Sequence, residues 1–100
     1  MPEPRDPSSV IEAAEQAAAA GNYAGAERLL REAALLQEAS LDPLHPELAN
    51  TLNNLGVVCE MNGNPDEAER CFRRAVTIAT TVLEADHPFV LTSQKNLHDF

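Results

Sequence analysis

Three histidines and two cysteines are the residues of this chain with chemistry to offer, and their spacing argues against its use. A structural zinc site needs thiolates and imidazoles in close pairs such as CxxC or HxxxH. Cys59 and Cys71 have no such neighbours and fall on different predicted helices, at positions facing the inside of a hairpin. A Cys so placed serves as a small hydrophobe. His45 and His87 each precede a proline. The residue before proline is pushed out of helical geometry, which leaves its imidazole beside the free N–H groups of the helix that follows. His98-Asp99 has no nucleophile next to it, and the four glycines are scattered rather than gathered into a phosphate loop. The expectation is a protein that is not an enzyme and needs no metal or cofactor.

The elements that carry these residues are helical. Alanine is abundant, aromatics make up 4% of the chain, and tryptophan is absent. Much Ala, Leu, Glu and Arg with few β-branched or aromatic residues reads as helices whose backbones approach closely. One hundred residues allow one domain with a modest core. A net charge of −9 with only seven basic residues argues against nucleic acid, whose phosphates need clustered Lys and Arg. No apolar run reaches the length of a membrane span. The start, Met1 to Asp6, has neither the basic residues nor the apolar stretch of a signal peptide. With two cysteines, too few for a secreted disulfide scaffold, the expected location is cytoplasmic.

Residues 1–7 hold three prolines and read as a flexible leader before a single domain over 8–100. Ser8 or Ser9 is placed to cap the first helix, with Glu12 completing a capping box. This helix stops at Gly21-Asn22. A second, from Tyr23, carries Ala26, Leu29, Leu30, Ala33 and Leu36 at helical spacing and ends near Asp42, closing a hairpin over 8–42. Pro46 and Pro65 suit the first turns of the two helices of a second hairpin, 46–84. Leu48, Leu52, Leu55, Val58 and Cys59 face its interior from one side. Ala68, Cys71 or Phe72, Ala75, Ile78 and Val82 do so from the other. A terminal helix follows over 88–100. Short turns make neighbouring helices antiparallel.

The chain repeats itself at an offset of 42 residues, the distance from Leu41 to Leu83. In that register Gly21-Asn22 falls on Gly63-Asn64, and Ala26-Glu27-Arg28 on Ala68-Glu69-Arg70. His45-Pro46 meets His87-Pro88, and Asn54-Leu55 meets Asn96-Leu97. A fixed period of this size means an array of helical hairpins, each burying its face by stacking on the next.

Leu55-Gly56, then Cys59, the turn at Gly63, then Ala68, Phe72 and Ala75 resemble the tetratricopeptide signature rather than HEAT or armadillo units. The small residues stand where two helices nearly touch. The long period, with Leu83 to Pro88 and Thr51 to Gly56, is similar to the kinesin-light-chain type of this repeat. The resemblance implies an all-α, right-handed superhelical stack of five helices: two repeats and one terminal helix.

It also implies where a partner sits, since the first helix of each hairpin in this family lines a concave face that takes a peptide. Carried over, that gives one row of Ser8, Asn50 and Thr92, and a second of Ile11, Asn53 and Lys95. Glu12, Asn54 and Asn96 follow, then Glu15, Val57 and Asp99, with Glu60 and Met61 at the far edge. An Asn amide both donates and accepts, which matches a peptide backbone. The other use for these amides is to bond the neighbouring hairpin and hold the stack. Lys95 is the sole cation on the rows, so capture of a C-terminal carboxylate is excluded, and Glu15, Glu60 and Asp99 point to a protein or peptide bearing Lys or Arg. The competing expectation is structural. An apolar flank of Phe89, Leu91, Leu97 and Phe100 would make the chain part of a longer array, or a homodimer through its last helix.

Overall fold

Prolines and short polar caps decide where the helices begin. The computed structural model describes residues 6–100, and five residues of the expected leader lie outside them. Asp6, not Ser8 or Ser9, caps the first helix, α1 (Pro7–Ala19). Its carboxylate accepts from the Ser8 and Ser9 N–H groups at 2.8 and 3.3 Å. Pro7 occupies the first turn, where its missing N–H costs nothing, so the cap falls one position before the proline and both serines are already helical. The helix α2 (Tyr23–Ser40) is capped by Asn22, which accepts from Gly25 N–H at 3.0 Å. The helices α3 (Pro46–Met61) and α5 (Pro88–Asp99) start as the sequence suggests. The Nδ1 atoms of His45 and His87 accept from the N–H groups of Glu47 and Phe89, at 3.1 and 3.0 Å. The helix α4 (Pro65–Val82) opens with proline and the acidic pair Asp66 and Glu67, favourable at a positive helix end.

The two hairpin turns are built alike. Gly21 and Gly63 adopt φ of +82° and +80°, a region glycine enters without penalty. Asn22 N–H then reaches the Ala17 carbonyl and Asn64 N–H the Cys59 carbonyl, both at 2.8 Å. Gly21 and Gly63 N–H groups bond Ala18 and Glu60. These are Schellman closures, which satisfy carbonyls that a helix end would otherwise leave bare.

Two adjoining clusters form the core. One gathers Ala14 and Leu30 from the first hairpin with Leu55, Val58, Cys59 and Phe72 from the second. The other packs Ala34 against Leu48, Leu52, Ala75 and Ile78. A Cβ on Gly56 would lie 2.7 to 2.9 Å from three ring atoms of Phe72, so this glycine is what lets α3 and α4 close. Two expected core positions differ. Val82 is 41% exposed because it is the last residue of α4, and Ala79, fully buried, completes the stripe instead. On α2 the buried residue near the end is Gln37, while Leu36 is only half-buried.

The helices form two layers. Ion pairs Arg31–Glu67 at 3.0 Å and Arg74–Glu38 at 2.6 Å join α2 to α4, as does the Asn64–Glu27 hydrogen bond at 2.9 Å. On the opposite side, α1 and α3 share clefts, and the Asn53 amide donates to the Ser93 hydroxyl of α5 at 2.8 Å.

Candidate partner-binding site

On α3 the residues Asn50, Asn54, Val57 and Met61 follow one another at spacings of four, three and four, and so share one stripe. None is buried: Val57 is 40% and Met61 55% exposed. The facing stripe of α1 is Ser8, Ile11, Glu15 and Ala18. Between the two stripes lie two clefts. One, of 280 Å³, brings Glu15 together with Asn54 and Val57 over a floor of Ala14, Leu30 and Val58. The other, of 470 Å³, lies where α1 and α3 begin and places Asn50 with Ser8, Ile11 and Gln37.

Asn53 departs from its expected role. It is 4% exposed, bonded to Ser93, and faces α5 rather than the groove. Neighbouring helical residues point about 100° apart, so of Asn53 and Asn54 one had to turn inward. Asn53 therefore does the stacking work that the sequence offered as the other use for these amides, and it is no direct contact for a partner. Glu12 and Glu60 are exposed but line neither cleft. Thr92, Lys95 and Asn96 of α5 also stand outside both clefts, and Phe89 is the α5 side chain that enters one. Lys95 is engaged by Asp99 at 2.7 Å, which holds the Asp99 carboxyl below its ordinary range and raises the Lys95 ammonium. Sequence reasoning missed Gln37, because a lone Gln on a helix gives no periodic signal.

Charge divides between the layers. Neither α1 nor α3 contains a Lys or Arg, whereas α2 and α4 carry Arg28, Arg31, Arg70, Arg73 and Arg74. Glu12, Glu15, Glu47 and Glu60 have no ion-pair partner among the described residues. An open apolar floor edged by free carboxylates and amides can hold a chain segment, with donors and cations drawn to its rim.

The thiols are equally placed by packing. Burial, with the Glu27 carboxylate next in weight, pushes the Cys59 thiol up to about 12, and burial raises Cys71 to about 11. Both stay protonated at neutral pH and are poor nucleophiles or ligands in that form. Among the described residues no three His, Cys, Asp or Glu side chains gather in a metal-binding group. No described helix is long and apolar enough to cross a membrane.

The apolar flank expected on α5 is largely used within the chain. Phe89 and Leu97 pack against the core, and the Phe100 ring lies 5.6 Å from that of Phe72, tilted by 58°. Leu91 is left outward, 54% exposed.

Among curated proteins none matches this chain. A family model described as the tetratricopeptide repeat matches residues 9–81, from the first turn of α1 to the last of α4. Paired helices, glycine turns and the Gly56–Phe72 contact all lie inside that match, and the chain belongs to the tetratricopeptide repeat family.

Proposed function

We propose that this chain holds an extended segment of a partner protein along the α1/α3 groove, and that the segment carries Lys or Arg. Repeats of this family generally act as protein-protein interaction modules, and the groove reading adds a place and a chemistry. The observation that carries it is the pair of facing stripes, with Glu15 unpaired beside Asn54 and Val57 and no cation on either helix. A cationic side chain lays its aliphatic stem on the apolar floor while its head meets the carboxylate. The Asn50 and Asn54 amides serve the segment's backbone. Met61, next along the α3 stripe, and Thr92 and Asn96 of α5, which line neither cleft, are the further contacts this reading assigns. The long-period, kinesin-light-chain type and a cytoplasmic setting complete the reading, the latter supported by two unpaired thiols.

Immobilised protein challenged with degenerate peptide libraries tests the reading. Pools fixed to Arg or Lys at one position are expected to be retained, less so as salt rises. Glu15→Lys should abolish that retention, and Asn54→Ala should weaken it without lowering the melting temperature much. Equal retention of pools fixed to Glu would refute a basic partner. A second reading, self-association, rests on Val82 and Leu91, both exposed near α5. Light scattering after gel filtration separates the two, since a strict monomer ends it.

A further inference from the structure

Packing does not explain Gln37. This residue is 3% exposed in the last turns of α2, yet its side-chain carbonyl oxygen has no hydrogen-bond partner among the described residues. A helix that needed only to fill this space would place Leu or Met there. The Gln37 side chain lines the larger cleft of the groove, the one of 470 Å³ at the start of α1 and α3. Ile11, Leu83 and Phe89 are its apolar walls, Ser8 and Asn50 are free polar ones, and the His87 ring at its edge has Nδ1 committed to the Phe89 N–H. Thr51 is committed elsewhere, its hydroxyl donating to the Glu47 carbonyl at 3.2 Å.

What fits is a neutral group that both donates and accepts. The helix starts of α1, α3 and α5 bring positive dipole ends, and the exposed Glu47 brings a carboxylate. These opposing fields leave no clear preference for a cation or an anion. The Gln37 and Asn50 amides each offer one carbonyl and one NH₂. The terminal torsion of Gln is soft and roughly two-fold, so either end of the Gln37 amide can turn to the cleft. A second carboxamide is the natural complement, joined by a donated and an accepted hydrogen bond, with its short stem between Ile11 and Phe89.

We propose that this cleft is a carboxamide subsite, which takes a Gln or Asn side chain of the bound segment and pairs it with Gln37 and Asn50. The proposal rests on the groove reading above and adds a specificity that reading does not contain. Short peptides with one fixed Arg and one scanned position, degenerate elsewhere, supply the test by competition binding. The wild-type protein is expected to prefer Gln or Asn over Met, Leu and Glu at one scanned position by roughly tenfold, the worth of about one net hydrogen bond. Gln37→Met should erase that preference and keep the requirement for Arg. Asn50→Leu, at an exposed position that leaves the core untouched, should reduce the preference as well. The Gln37 side-chain NH₂ resonances should move on adding a Gln-bearing peptide and stay in place with its Met counterpart.

The failures are distinct. If no Arg-bearing pool binds, the groove reading falls and the subsite with it. Arg-dependent binding with no amide preference, or a preference that survives Gln37→Met, overturns the subsite alone.

Discussion

Replacing Gln37 by Met should make the protein more stable, which is unusual for a change at a buried position. Gln37 is 3% exposed, and its Oε1 has no partner among the described residues. Leaving a buried acceptor unsatisfied costs about 1–3 kcal/mol. Gln and Met have similar helix propensity and similar length, so neither backbone preference nor volume offsets the gain by much. A net stabilisation of about 1 kcal/mol follows, which for a domain of this size raises the melting temperature by about 4–8 °C. In urea, with a slope of about 1–2 kcal/mol per molar, the midpoint should rise by roughly 0.5–1 M at unchanged slope. Gln37→Glu is the control. It keeps the shape and introduces a buried charge, so its midpoint should fall, and further as pH rises and the carboxyl ionises. A Gln37→Met midpoint equal to or below that of the wild type, at unchanged slope, would show that the amide is satisfied inside the folded protein. The carboxamide subsite would then have no orphaned acceptor to offer a ligand.

Three other outcomes are expected. Gly56→Ala should destabilise by about 1–2 kcal/mol in a denaturant titration, because the strain of a Cβ at 2.7 to 2.9 Å from the buried Phe72 ring outweighs the roughly 1 kcal/mol gained in helix propensity. Phe72→Leu in the same chain should relieve part of that loss. Glu27 accepts from the Asn64 amide, with Cys59, Asn62 and Arg31 nearby, which lowers its pKa below the ordinary 4.5, the Asn64 bond counting most. Its contribution to stability is present above 4.5 and is lost as pH falls through the depressed value, so Glu27→Gln should flatten the acid side of the stability curve. The raised thiols behave oppositely. With pKa values of about 12 and 11 against 9.0, Cys59 and Cys71 contribute stability below pH 9.0 that is lost as pH climbs through the higher values. At pH 8 a disulfide reagent should label them only as fast as the protein opens, and labelling at the rate of a free thiol would contradict their burial.

The sequence could show what repeats or punctuates. Gly21-Asn22 and Gly63-Asn64 marked both turns because a left-handed residue is needed there, and the structure closes both with the same two bonds. His45 and His87 were readable as caps because proline fixes the geometry on either side of them. Spacing also found the apolar stripe of α3, from Leu48 to Cys59. It could not decide between adjacent polar residues. Asn53 and Asn54 are equal in composition and differ only in which faces α5, a matter set by how α3 and α5 pack. Asp6 was hidden because two serines offered the same cap two and three residues later. Gln37 was hidden because a buried amide has no signature until its surroundings are known.

Charge is divided between the layers in a way that bears on the proposed groove. Arg31 and Arg74 reach across from one hairpin to the other, to Glu67 and Glu38, and Arg70 and Arg73 pair along α4. Each of these bridges is partly exposed and worth little alone, yet together they place the helical cations on the α2/α4 side, Lys95 of α5 apart. The stack on the other side is fastened by a neutral bond, Asn53 to Ser93, which needs no charge. The carboxylates of α1 and α3 have no ion-pair partner among the described residues, on helices whose exposed stripes also carry Val57 and Met61. Unpaired charge of one sign next to uncovered apolar surface does nothing to hold this chain together. On the proposed reading a segment of opposite charge lying along this face would stabilise it, while the buried sides of the same helices, with Leu48, Leu52 and Leu55 of α3, serve the core.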